Sequence, residues 1–84
     1  MQIEAALIRE QGVDFAVVAV RPSALTSADR DRAVASFSKL LGAPVVLLAP
    51  DSRGGGRTYG RPDLVRFLKN VPVAALPWKR LSVH

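Results

Sequence analysis

Two stretches of this chain are apolar at nearly every position, and they constrain the fold more than anything else in it. Val13 to Val20 reads Val-Asp-Phe-Ala-Val-Val-Ala-Val, and Ala43 to Ala49 reads Ala-Pro-Val-Val-Leu-Leu-Ala. A strand wet on one face alternates apolar and polar residues. A strand covered on both faces does not, and these β-branched runs are read as strands of that second kind.

The segment between them has helical spacing. Ala33, Val34, Phe37, Leu40 and Leu41 make one apolar stripe. Thr26 stands at an N-cap position with Asp29 three residues on. Asp29 and Asp31 suit the positive end of the helix dipole, and Gly42 is a C′ stop. A helix is therefore predicted from about Ser27 to Leu41. A strand–helix–strand unit closes as a right-handed crossover, so the two apolar strands should be parallel.

The flanking segments extend the sheet. Gln2 to Arg9 alternates weakly and is read as a half-buried strand. Glu10-Gln11-Gly12 then turns it into an antiparallel hairpin with the first apolar run. After Pro50 comes a glycine- and arginine-rich loop, Asp51 to Gly60. Pro62 and Asp63 open a second helix that carries Leu64, Val65, Phe67 and Leu68 and ends near Asn70. Val71 to Trp78 holds Pro72 and Pro77, which suit only an edge strand.

The expected fold is thus α/β: a small two-layer sandwich in the order β-β-α-β-α-β. It is one domain over residues 1–80, with residues 81–84 a tail. The simplest four-stranded mixed sheet has strand order 1-2-3-4, with both helices mainly on one face. Its other face would then be apolar and uncovered, which predicts a second copy of the chain lying over it. The alternative order, 3-2-1-4, would put one helix on each face and remove that need.

Composition narrows the chemistry. The chain has 84 residues and no cysteine, which excludes a disulfide scaffold, a thiol nucleophile and cysteine-ligated zinc. No apolar run approaches the roughly 20 residues of a membrane helix. Met1-Gln2-Ile3-Glu4 has no basic region ahead of an apolar stretch, so no signal peptide is expected and a cytoplasmic location is. The one histidine is His84, which leaves a serine nucleophile without a credible base. No cofactor is called for.

The net charge is +5. Residues 1–42 are balanced, and residues 43–84 hold the whole surplus through Arg53, Arg57, Arg61, Arg66, Lys69, Lys79 and Arg80 against Asp51 and Asp63. Such asymmetry suits an anionic partner, although nine arginines against three lysines also fit GC-rich coding.

Ligands of open α/β sheets bind beyond the carboxyl ends of the parallel strands. Arg21, Arg53, Arg57, Tyr59, Arg61, Lys79 and Arg80 are expected to converge there and to bind phosphate or nucleic acid. Gly55 to Pro62 approaches a phosphate loop, but Arg61 stands where that motif has lysine and Pro62 where it has a metal-binding hydroxyl. Arg57 with Tyr59, and Trp78 with Lys79 and Arg80, pair cations with rings as base stacking requires. A metal site would need Asp29 and Asp51 to meet, yet capping and a turn explain both.

Three functions follow in order of weight. The first is a non-enzymatic module, self-associating through the open sheet face and acting by protein–protein contacts. The second is an anion or nucleic-acid binder using the loop and the basic C-terminal segment. The third is a small metal- or phosphate-dependent enzyme.

Overall fold

β1 (Gln2–Glu10) folds back antiparallel onto β2 (Val13–Ala19), with Ala6 opposite Val17 and Ile8 opposite Phe15. The turn uses Gly12 at φ 78°, a conformation that only glycine adopts freely. β2 then lies parallel to β3 (Val45–Pro50), with Val17 beside Val46 and Val18 beside Leu47. These four side chains are the largest fully buried ones among the described residues. The hairpin, the parallel pair and its doubly buried character are as expected from sequence. Coordinates of this computed structural model describe residues 2–10, 12–53, 55–69 and 71–82.

The α/β class holds, but the sheet has five strands. The segment read as loop contains β4 (Gly56–Tyr59), which pairs antiparallel with β3. The last strand, β5 (Trp78–Ser82), pairs antiparallel with β1. The order is β4-β3-β2-β1-β5. The order 1-2-3-4 is therefore corrected to the alternative 3-2-1-4, with a hairpin strand added outside β3. The cause is simple: β4 occupies the outer edge of β3, so the last strand must use the free edge of β1.

That last strand also begins later than expected. Residues Val73–Ala75 form a short 3-10 helix between Pro72 and Pro77, and extended structure starts after the second proline. Leu81 and Ser82, expected in a tail, belong to β5. His84 lies outside the described residues, and so does Asn70, where the second helix was expected to end.

The expected first helix is present but starts at Arg30 rather than Ser27, and a short helix that was not expected precedes it. α1 (Pro22–Thr26) and α2 (Arg30–Leu41) are divided at Ser27–Asp29. Thr26 caps nothing: its hydroxyl donates to the Ser23 carbonyl and closes α1. The Ser27 hydroxyl accepts from the Asp29 N–H instead. Gly42 ends α2 at φ 69°, with its N–H on the Ser38 carbonyl, as expected.

Both sheet faces are covered, which corrects the two-layer reading. Val18, Leu47 and Ala49 pack with Leu25, Val34 and Phe37 under α1 and α2. Phe15, Val17 and Leu48 pack on the other face with Leu64 and Leu68 of α3 (Pro62–Leu68) and with Leu76. Phe15 meets Phe67 edge to face at 5.8 Å between centroids, a geometry worth about 0.5–1.5 kcal/mol beyond its buried area. The open apolar face that called for a second copy is absent among the described residues. Among the described residues, exposed large apolar side chains are confined to Leu7 and Leu40.

β4 sits against β3 without room for a side chain at its first residue. A Cβ on Gly56 would lie 2.6 Å from the Ala49 carbonyl oxygen and 2.9 Å from a Leu48 methyl. Gly56→Ala should therefore lower stability by about 1–3 kcal/mol, the usual range for overpacking. Urea unfolding followed by the fluorescence of Trp78, the only tryptophan, checks this, and an unchanged midpoint would refute the close approach.

Candidate functional site

The carboxyl ends of β2 and β3 form one end of the sheet. Arg21 follows β2 there, as the residue before α1. Asp51 follows β3, and the chain turns back so that Gly56 pairs with Pro50 and Arg57 with Ala49. Arg21, Arg53 and Arg57 thus share this end.

The other expected members are elsewhere. β4 runs away from this end: Tyr59 is beside Leu47, and Gly60 lies against the Val45 carbonyl. Arg61 and the start of α3 consequently stand at the opposite end, away from where β2 and β3 finish. Arg61 is also neutralised there by Asp63 at 2.8 Å. Lys79 and Arg80 are on β5, four strand spacings or about 19 Å from β4. The Arg80 guanidinium is 3.6 Å from Glu4.

Sequence reading missed Lys69. α3 runs back toward the first end, where Lys69 lines a groove with Leu48, Gly55, Gly56, Thr58 and Leu68. The groove holds about 490 Å³, within the size range of ligand sites. The available signal was Arg57-Thr58-Tyr59 between glycines, a short strand-forming run that folds the loop back and brings α3 alongside it.

Asp51 organises the hairpin. Its Oδ1 accepts from the Arg53 N–H at 2.8 Å and the Gly55 N–H at 3.1 Å. Its own N–H donates to the Gly55 carbonyl at 2.9 Å. A phosphate loop holds its ligand with such amides. Here two of them are already engaged by a carboxylate, and this removes the phosphate-loop reading on geometry as well as on residue type. Asp51 is a turn residue, and Asp29 sits before α2 at 3.8 Å from Arg32. No cluster of three or more potential metal ligands occurs among the described residues.

The two aromatic candidates are both occupied. The Tyr59 hydroxyl donates to Asp31, and the Arg30 guanidinium lies 4.4 Å over its ring. The same guanidinium donates to the Leu25 carbonyl at 3.1 Å. Trp78 packs against the α3-side core, and its indole N–H donates to the Val73 carbonyl at 2.8 Å. Neither ring is free to stack on a base.

Two ionisations are displaced. Tyr59 is raised above 10.0, first by its hydrogen bond to Asp31, then by desolvation and the Asp31 charge, with Arg30 opposing. Asp63 is lowered below 3.8: desolvation pulls it upward, but the hydrogen bonds and charge of Arg61 outweigh that.

No family model, curated protein or solved structure matches this chain. What the fold defines is a small mixed α/β protein with helices on both faces of a five-stranded sheet. No described helix is long and apolar enough to cross a membrane.

Because Tyr59 is the only tyrosine, phenolate absorbance reports it alone. The folded protein favours the neutral phenol. The Tyr59–Asp31 contact therefore contributes fully below pH 10.0 and is lost as pH rises through the raised value. Spectrophotometric titration should give a midpoint above that of free tyrosine, and Asp31→Ala should bring it down. Equal midpoints in the two proteins would remove Asp31 as the cause.

Proposed function

We propose that this protein is a non-enzymatic binding module that acts through contact with an acidic segment of a partner protein, at the β3–β4 hairpin. One observation carries the reading: the division between paired and unpaired cations. Arg9, Arg32, Arg61 and Arg80 each have an acidic partner within 4 Å. The other eight have none among the described residues; Arg30 and Lys39 are on α2, Arg66 is on α3 and Lys79 on β5, while Arg21, Arg53, Arg57 and Lys69 all belong to the end of the sheet where β2 and β3 finish. Cations grouped without internal partners raise the local potential and favour an anion there. Asp51 offsets one of these charges but leaves a surplus.

A protein partner is favoured over nucleic acid by the state of the aromatics. Single-stranded nucleic acid is held by a cationic track together with open stacking rings. Tyr59 and Trp78 are the two rings near basic residues, and both are engaged within the fold. Arg57 therefore has a charge to offer but no free ring beside it. Self-association through a sheet face finds no support in a sheet covered on both sides.

The test is fluorescence anisotropy at low salt with three labelled probes of about ten units: poly-glutamate, poly-lysine and single-stranded DNA. Poly-glutamate should bind and poly-lysine should not, and binding should weaken steeply with added salt. The triple variant Arg53→Glu, Arg57→Glu, Lys69→Glu should lose at least tenfold in affinity while keeping its unfolding midpoint within a few degrees. Absence of poly-glutamate binding, or a triple variant equal to wild type, overturns the reading. DNA binding without poly-glutamate binding overturns it in favour of nucleic acid.

A further inference from the structure

The direction of the backbone groups on β4 follows from its neighbours. Along a strand, the N–H and C=O of one residue point to the same side, and successive residues alternate sides. The Pro44 carbonyl accepts from Ala16, and the Leu48 carbonyl accepts from Val20, so the even-numbered residues of β3 face β2. Leu47 and Ala49 therefore face β4. In the register of the hairpin they oppose Tyr59 and Arg57. The Asp51 N–H bonding to the Gly55 carbonyl continues the same alternation. Arg57 and Tyr59 are thus the residues whose backbone closes onto β3. Gly56 and Thr58 present their N–H and C=O groups outward, at the free edge of the sheet.

Side chains at this edge alternate in the other dimension. Thr58 is opposite Leu48 and shares the α3 face, where it lines the groove with Val65, Leu68 and Lys69. Arg57 is opposite Ala49 and shares the α1–α2 face. The edge thus combines three features: outward backbone groups, an apolar groove on one side and a guanidinium on the other.

We infer that an extended peptide segment adds to β4 as a sixth strand, with acidic residues alternating with apolar ones. This rests on the reading of the preceding subsection and specifies how the partner is held. Backbone hydrogen bonds to Gly56 and Thr58 supply attachment, as in other strand-addition complexes. Side chains at every second position of the added strand drop into the groove beside Thr58, and those between them meet Arg57. Lys69, at the mouth of the groove, takes an acidic residue flanking the apolar ones.

A second copy of the chain is the competing occupant, and charge argues against it. Two β4 edges brought together would juxtapose their Arg57 side chains. The other edge of the sheet, β5, carries exposed Lys79 and Arg80. Like charges across a strand pair are destabilising. An acidic strand complements the β4 edge, and neither edge of this sheet is one.

The experiment uses capped peptides of one composition. One is acetyl-Glu-Val-Glu-Ile-Glu-Leu-Glu-amide. The second gathers the same residues into an acidic block and an apolar block. The third is the alternating peptide N-methylated at its three apolar residues, and the fourth the same peptide N-methylated at its inner glutamates. The alternating peptide should bind at least tenfold more tightly than the blocked one. One of the two methylated peptides, whichever has its methyl groups toward β4, should lose at least tenfold. Thr58→Pro, which removes an outward donor and keeps every charge, should lose as much. Because proline also constrains the β4 backbone itself, amide hydrogen exchange of the wild-type protein gives the independent readout. Saturating alternating peptide should slow exchange at Gly56 and Thr58 at least tenfold, with little change at Arg57 and Tyr59.

If all four peptides bind alike and exchange at Gly56 and Thr58 is unchanged, strand addition is overturned, while poly-glutamate binding would still support the electrostatic reading. If two protein chains associate with protection of the same amides and no peptide binds, the occupant is a second copy and the inference fails.

Discussion

Val17 and Val46 meet on one face of the sheet, and Val18 and Leu47 meet on the other. This pair of two-residue layers is the constraint on which the remaining structure depends. Each of the four side chains is fully buried. At about 25 cal/mol per Å² of apolar area, a fully buried valine or leucine contributes roughly 1.5–3 kcal/mol. Four such residues alone approach the marginal net stability of a small domain. The contribution is realised only if both faces are dry. One helical layer cannot achieve that, so the chain must send α1 and α2 to one side and α3 with the 3-10 helix to the other. A domain of this length buries a smaller fraction of its surface than a larger one does, which makes the second layer a requirement for stability.

The hairpin at Asp51 is how the chain reaches the second face. Had the segment after β3 crossed directly to a strand on the outer edge of β3, a right-handed crossover would have placed α3 with α2; β4 fills that edge instead, so the last strand goes to β1 and α3 to the other face. Four residues of β4 carry the chain to the other end of the sheet first, and α3 starts from there. Asp51 holds the reversal by three hydrogen bonds within five residues, and Gly56 permits the close return. One short hairpin therefore decides three things at once: which face α3 covers, which edge is left for β5, and which cations remain grouped. Arg53 and Arg57 stay beside Arg21 because the strand turns back. Arg61 leaves them for the same reason.

Much of the architecture was legible in the residues. The doubly apolar runs marked the central pair, Gly12 marked the hairpin, and Gly42 marked the end of α2. The β4 strand was not legible, because Gly-Arg-Thr-Tyr between glycines and after an Asx turn has the composition of a loop. Its extended form comes from pairing with Leu47 and Ala49, a tertiary effect that no local propensity records. The site misreading descends from that one miss. Arg61 and Pro62 looked like the start of a rim helix only on the assumption of a direct loop. The cation–ring pairs failed differently: sequence places Arg57 beside Tyr59, yet pairing in space gives that ring to Arg30 and its hydroxyl to Asp31. Charge excess in the second half of the chain was plain from composition. Which of those charges are neutralised locally was not.

The two edges of the sheet are protected to different degrees, and the difference bears on function. An edge strand is a template for unwanted pairing, and proteins blunt it with charge, proline or brevity. β5 has Pro77 before it and exposed Lys79 and Arg80 along it, with Trp78 folded onto the core. β4 is brief and bears Arg57, but Gly56 and Thr58 add no bulk at the positions where its backbone faces outward. Beside it lies an apolar groove rather than a covering loop. A sheet selected only to avoid pairing would place a long charged side chain at Thr58, where it would shield the groove. A small hydroxyl there, with Arg57 and Lys69 nearby, leaves the outward backbone groups of the edge open, as the proposed addition of an acidic strand requires.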